Sequence, residues 1–305
     1  MISDFPTGVH SRETALLDVY EDLRVAAAGA PPGTRFHASV PSGTPISALV
    51  DMADALRCRL RFSTSPDDRT LQICFEQLGK EDSFHGQQDN DPEKYGAASA
   101  FATRGRLNDP GFFTGFIAAL SLVPPGPKAR ILDLGINTGD EFALIERFCG
   151  KGAPDMTMTG IDRSASALAV AKERFPGPRC SFIAHDINRL HEIDIGTFDL
   201  LISVATLHSP GIDSKRVFMD IMQTKMAPGA AVIIGFPNCR YVDGEPLYGA
   251  RTRNRREPDL SLVVKDIHFV KKYLQQHRFR VVITGKNYLF VVGIPSPRPS
   301  QPEQR

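Results

Sequence analysis

From residue 130 onward the chain alternates short runs of branched aliphatic residues with segments of helical periodicity, and this alternation restricts its fold more than any other feature. The runs are RILDLG (130–135), MTMTGID (156–162), CSFIAHD (180–186), FDLLISVA (198–205), AAVIIGFP (230–237) and, near the end, FRVVITG and NYLFVVGI. Helical periodicity occupies 139–150, 164–174, 213–226 and 260–277; in the last of these Leu260, Val263, Ile267, Val270 and Leu274 fall on one face. Runs that are apolar on both sides, joined by helices that can cross over, specify a mainly parallel sheet covered on both faces. The last two runs lie only about two residues apart, which allows a hairpin but no crossover. The expectation is an α/β fold over residues 110–294: a seven-stranded, mainly parallel sheet with helices on both faces and an antiparallel last strand.

Ahead of this region lies a smaller pattern. Residues 11–28 and 45–57 read as helices, 35–41 as a strand, and LRFSTS and LQICFEQL as a hairpin around Pro66-Asp67-Asp68. Residues 1–80 are therefore expected to form a small N-terminal α/β unit. The polar stretch 80–95 is nearly free of aliphatics, so 81–109 reads as a linker or lid, and the Pro/Ser-rich 295–305 as a disordered tail. With 42% apolar and 23% charged residues the composition is that of a globular protein, and a net charge of +1 favours no particular polyanionic partner. Cys58, Cys74, Cys149, Cys180 and Cys239 show no metal-ligand or disulfide spacing, so no metal is expected and free thiols are. The first residues lack a signal-peptide pattern, and the longest apolar stretch, 112–123, is too short to span a bilayer; a cytoplasmic protein with no membrane partner is expected.

Chemistry concentrates in ILDLGINTGDEF, residues 131–142. A strand ends in Asp133 and Gly135, turns through Asn137 and Gly139, and opens a helix, at the strand end where open α/β sheets bind ligands. A dinucleotide turn needs Gly-x-Gly-x-x-Gly and a helix N-terminus free for pyrophosphate. Here the spacing differs, and Asp140 and Glu141 would repel a phosphate while suiting the helix dipole. That leaves an NAD-dependent reductase a distant reading. S-adenosylmethionine carries no phosphate and has a sulfonium cation, so acids beside it are tolerated. Two more acids end the next strands: Asp162, followed by Arg163, where a carboxylate can accept ribose hydroxyls, and Asp186, where it can meet an adenine amino group while Ile187 packs on the ring.

On these residues the stretch 110–294 resembles the class I S-adenosylmethionine-dependent methyltransferases, with their Rossmann-like fold. The resemblance implies that Asp133, Gly135, Asn137 and Gly139 hold the methionine moiety and ribose, Asp162 and Arg163 the ribose, and Asp186 and Ile187 the adenine. It also implies that FDLLISVATLHS, with Ser203, lines the methyl-transfer site, and that MAPGAAVIIGFPN is the fifth strand. The family usually has glycine where Asn137 stands; asparagine tolerates positive φ better than other non-glycine residues, so the turn survives.

Methyl transfer from a sulfonium is an in-line displacement that depends on alignment, and a base is needed only where the nucleophile must lose a proton. His208, just past the fourth strand, is the candidate base; a histidine there also serves simply to shape a pocket. The Asn/Asp-Pro-Pro-Tyr/Phe motif of amino-group methyltransferases is absent. Two segments are candidate substrate covers: 94–113, with Tyr95 and Arg104, and 238–259, with Tyr241, Tyr248, Arg251, Arg253, Arg255 and Arg256. The leading expectation is transfer to an O, N or C nucleophile of a small or medium-sized metabolite. One alternative is an RNA methyltransferase gripping its substrate with Arg251–Arg256; another is a catalytically silent cofactor-binding protein. An arginine run is more often a solvated face.

Overall fold

The computed structural model describes residues 5–6, 16–62, 70–79, 91–99, 105–149, 155–209, 211–238, 240–242, 245–247 and 261–296. They fall into two compact units, one of residues 1–87 with 239–247, the other of 88–238 with 248–305.

The first unit runs β1 (Phe5–Pro6), α1 (Leu16–Ala27), β2 (Arg35–Pro41), α2 (Ile46–Ala55), β3 (Cys58–Phe62) and β4 (Thr70–Gln77). Its sheet has the order β1-β2-β4-β3, with β3 and β4 antiparallel; the connecting turn at Pro66 lies outside the described residues. Alternation along β2 sends Phe36, Ala38 and Val40 into a core shared with Val19 and Leu23 of α1 and Leu49 and Met52 of α2. Residues of the other phase are polar, and Arg35, Arg59 and Arg61 converge there on Glu76. Hydrogen bonds, above all from Arg61, hold the Glu76 carboxyl below its usual range.

The second unit opens with α3 (Pro110–Leu122), a helix that the sequence reading noted only as an apolar run. Its start is defined chemically: Asp109 accepts from the Phe112 amide at 3.3 Å, and Pro110 occupies the first turn, where no amide is needed. There follow β5 (Arg130–Leu134), α4 (Asp140–Cys149), β6 (Thr157–Asp162), α5 (Ala165–Arg174), β7 (Cys180–Ala184), β8 (Phe198–Val204), α6 (Ser214–Thr224) and β9 (Met226–Pro237). The short antiparallel pair β10 (Arg240–Val242) and β11 (Glu245–Leu247) clusters with the first unit. The chain then closes the second unit with α7 (Ser261–Gln276), β12 (Phe279–Gly285) and β13 (Tyr288–Pro295).

The seven strands take the order β12-β13-β9-β8-β5-β6-β7. β13 is antiparallel to both its neighbours, and the pairs from β9 through β7 are parallel. This is the predicted seven-stranded sheet. One boundary differs: β9 begins before the Pro228-Gly229 pair that marks a turn in sequence, and its pairing with β8 shifts register between Phe198 and Leu200. Successive residues of the central strands serve opposite cores. Ile131, Leu200, Ile202 and Val204 face α3 and α4, while Leu132, Leu134, Leu201 and Val232 face α6 and α7. From β5 the chain proceeds outward through β6 to β7 and then returns to β8 on β5's other side. That reversal opens a crevice at the strands' carboxyl ends. Among the described residues no helix is long and apolar enough to cross a membrane.

Candidate functional site

The turn after β5 is held in a left-handed path, with φ of 76° at Gly135, 50° at Asn137 and 89° at Gly139. Protein, rather than open space, surrounds its glycines. A Cβ on Gly135 would strike the Thr206 side chain, and one on Gly139 would come within 2.6 Å of the Phe175 ring. The sequence reading gave these glycines to close approach by a ligand; the structure gives them packing roles as well.

Asn137 does more than replace a glycine. Its amide donates to Asp162 Oδ2 at 2.9 Å, and its side-chain Nδ2 donates to the Tyr95 carbonyl at 2.6 Å. Its Oδ1 accepts from the Thr138 amide at 2.9 Å. A one-turn helix at Pro92–Tyr95 is thereby fastened over the turn. The same strap is tied to the start of α5, where Glu93 accepts from the hydroxyls of Ser164 and Ser166 and the Ala97 amide donates to Ser166 Oγ at 3.0 Å. Tyr95, a predicted substrate-binding residue, therefore meets the site through its backbone, and burial raises its phenol pKa.

Below the turn lies a group of buried charges. Asp133 is fully buried, and neither carboxylate oxygen has a hydrogen-bond partner among the described residues. Burial first, then repulsion from Glu141, push its pKa well above the usual carboxylate range, against the opposing pull of Arg106. Ser203, on the neighbouring strand, is likewise buried with no partner for its hydroxyl. Glu141 is ion-paired to the Arg106 guanidinium, which also donates to the Val204 carbonyl at 3.2 Å and lies 5.2 Å from the Phe112 ring centroid. Burial raises the Glu141 pKa, with Arg106 the main opposing influence. Asp140 accepts from Arg174 Nη1 at 2.8 Å and from the Arg106 amide at 2.9 Å, so both acids of the first helical turn have partners besides the helix dipole. A small cleft opens here, lined by Arg106, Ile136, Asn137, Thr138, Asp140 and Glu141.

Asp162 and Asp186 stand at the ends of β6 and β7, as their spacing predicts. Asp162 accepts from the Asn137 and Ser164 amides, each at 2.9 Å, yet burial still raises its pKa. Arg163 follows it directly, and its amide opposes the rise. Asp186 caps the short helix Ile187–Glu192 by accepting from the Asn188 amide at 2.9 Å, and Ile187 is buried. His208 lies past β8 with its ring centroid 6.2 Å from that of Phe236; it lines a second cavity, distinct from the one beside Asn137. Arg104, Tyr248 and Arg251 lie outside the described residues, as do Arg253, Arg255 and Arg256.

Arg106 is the residue that sequence reasoning missed. Nothing in RGRLND marks one arginine over its neighbour Arg104, and its carboxylate partner stands 35 residues further on. Glu93 was missed for the same reason: the polar run around it reads as solvated chain.

With this geometry in view, the likeness to known proteins has a place to rest. Residues 131–229, from β5 into the start of β9, match the family model described as a methyltransferase domain. The chain is 40% identical over 89 residues to a trans-aconitate 2-methyltransferase of Deinococcus radiodurans, covering 28% of this chain and 30% of that protein. It is 33% identical over 104 residues to a protein of the same name from Yersinia pseudotuberculosis, covering 34% of each. The chain thus matches about a third of the length of these relatives. An S-adenosylmethionine-dependent methyltransferase structure from Aquifex aeolicus aligns at a TM-score of 0.45 with 14% identity, over 68% of this chain and 99% of that one. Residues 131–229 of this chain thus match a methyltransferase domain.

Proposed function

We propose that this protein transfers a methyl group from S-adenosylmethionine to an O, N or C nucleophile of a small or medium-sized metabolite. The observation that carries the reading is Asp133: a carboxylate buried at a sheet's switch point, with both oxygens unpartnered, meets a large desolvation cost unless a cation or donor arrives to offset it. The methionine end of the cofactor carries an ammonium of that kind. The chemistry of the surrounding groups fits the rest. Arg106 offers a fixed guanidinium for a carboxylate, and Ser203 a buried hydroxyl. The lone pairs that Asp162 keeps beyond its two amide contacts suit ribose hydroxyls, while Asp186 and Ile187 supply an acceptor and an apolar surface for adenine.

Bound S-adenosylmethionine supplies an electrophilic methyl on a sulfonium whose leaving group is a neutral thioether. The work left to the chain is orientation and exclusion of water. The Asn137–Tyr95 bond and the Glu93 contacts tie the 92–97 strap to the glycine turn and to the start of α5. Where the acceptor must lose a proton, His208, which follows β8, is our candidate to accept it on its ring. The two partial relatives are named for a small-molecule substrate, and this favours a metabolite over a macromolecule.

Calorimetric titration of S-adenosylhomocysteine into the purified protein tests the reading. Micromolar binding is expected, weakened in Asp162→Ala by about 1–3 kcal/mol, the cost of losing hydrogen bonds to a charged group. An absence of binding by the wild-type protein would withdraw the proposal.

A further inference from the structure

Both oxygens of Asp162 are held by backbone amides, and both amides belong to residues that the 92–97 strap grips by their side chains. Oδ2 accepts from the Asn137 amide and Oδ1 from the Ser164 amide, each at 2.9 Å. Asn137 in turn donates through Nδ2 to the Tyr95 carbonyl, while the Ser164 hydroxyl donates to Glu93 Oε2 at 3.0 Å. The strap and the carboxylate are the two ends of one hydrogen-bonded circuit. Glu93 anchors it. Its carboxylate also accepts from the Ser166 hydroxyl and, at 3.4 Å, from the Ser166 amide. The hydroxyl bond above all holds the Glu93 pKa below its usual range. The chain packs closely to make these contacts, since a Cβ on Gly96 would collide with Glu93 Oε2 and Ser166 Oγ.

Helix α5 does not need Glu93 as its cap, because Ser164 Oγ already accepts from the Ala167 amide at 3.1 Å. Ser164 is wholly buried, and Glu93 gives its hydroxyl an acceptor from 71 positions away. Asn137 shows the same bias towards the strap. Its φ of 50° suits glycine, yet glycine would have no side chain to reach the Tyr95 carbonyl. A carboxylate oriented in advance by such supports loses little freedom when it meets a ligand.

We propose that Glu93 is a positioning residue for Asp162. Acting through Ser164, with Asn137 closing the circuit at Tyr95, it fixes the carboxylate in the orientation that accepts the ribose hydroxyls of the cofactor. The proposal rests on the S-adenosylmethionine reading for its ligand; the coupling of Glu93 to Asp162 is a property of the chain alone.

Calorimetric titration of S-adenosylhomocysteine into the wild-type protein, Glu93→Ala, Asp162→Ala and the double variant is the test. Glu93→Ala is expected to weaken binding about three- to tenfold, as the loss of one hydrogen bond would. Glu93→Gln, which keeps an acceptor oxygen but no charge, is expected to retain most of the affinity. In the Asp162→Ala background, Glu93→Ala should change affinity by less than about twofold. Equal weakening in both backgrounds overturns the proposal, as does full affinity in Glu93→Ala. If Glu93→Ala does not fold, Ser166→Ala replaces it in the same cycle under the same criteria. If the wild-type protein does not bind S-adenosylhomocysteine, the methyltransferase reading fails by itself. The coupling is then read from the side-chain carboxyl carbon resonance of Asp162, assigned by its loss in Asp162→Asn. That resonance should move in Glu93→Ala and stay in place in Glu93→Gln; an unmoved resonance in Glu93→Ala overturns the coupling.

Discussion

The crevice at the end of β5 is lined mainly by charged and polar side chains, whereas the cavity between α6 and α7 is lined mainly by apolar and aromatic ones. In the crevice Asp133, Glu141 and Arg106 sit within one electrostatic neighbourhood, where Glu141 adds to the raised pKa of Asp133 and Arg106 opposes the rise of both acids. In the cavity one carboxylate, Asp266, stands among aromatic rings. A network of buried charges makes every member depend on the rest, so removing one strands its partners. The charged network of the crevice therefore has a structural cost attached to every member.

The hardest blow to this contrast would come from Arg106→Ala. It leaves Glu141 buried without its counter-ion and deprives Asp133 of its one favourable charge, so a loss of about 3–5 kcal/mol is expected. Denaturant unfolding measures it, and a change below about 1 kcal/mol would mean that the crevice charges are not a unit.

Asp133 gives the next largest effect, with a sign that can be worked out. Burial and then Glu141 raise its pKa in the folded protein above the unfolded value. For an acid shifted this way the folded state holds its proton more tightly, so the free protein loses stability as pH climbs from the unfolded pKa towards the folded one. A ligand ammonium favours the carboxylate instead. Affinity for S-adenosylhomocysteine should therefore rise with pH through the raised Asp133 pKa, with a proton released on binding. Calorimetry in two buffers of different ionisation heat detects that proton, and Asp133→Asn should abolish this part of the dependence.

Smaller again is Asn137→Gly. Glycine accepts the positive φ at no cost but loses the bond to Tyr95, for a net loss of about 0.5–1.5 kcal/mol in thermal unfolding. A gain in stability would show that only the φ mattered at this position.

Much of this was legible before any coordinates. Runs such as FDLLISVA are apolar at every position because a central parallel strand is covered on both faces, and strand identity follows from that alone. The acids at the ends of β5, β6 and β7 could be found because strand ends are local features of the chain. Helix α3 was harder: Thr114 and Gly115 interrupt its apolar run, and the Asp109-Pro110 start signal carries the assignment. The 92–97 strap was illegible because its bonds to Asn137, Ser164 and Ser166 are made to residues more than 40 positions away.

The sequence by itself determined the strand–helix order, the left-handed glycine turn and the placing of Asp133, Asp162 and Asp186 at one edge of a sheet, since each depends on short-range pattern and backbone geometry. Only the tertiary structure decided that Arg106 meets Glu141, that Thr206 and Phe175 fill the space beside Gly135 and Gly139, and that Asp266 shares a cavity with His208. Those pairings join distant segments across a packed interior, where the desolvation of each charge depends on neighbours that no local pattern specifies.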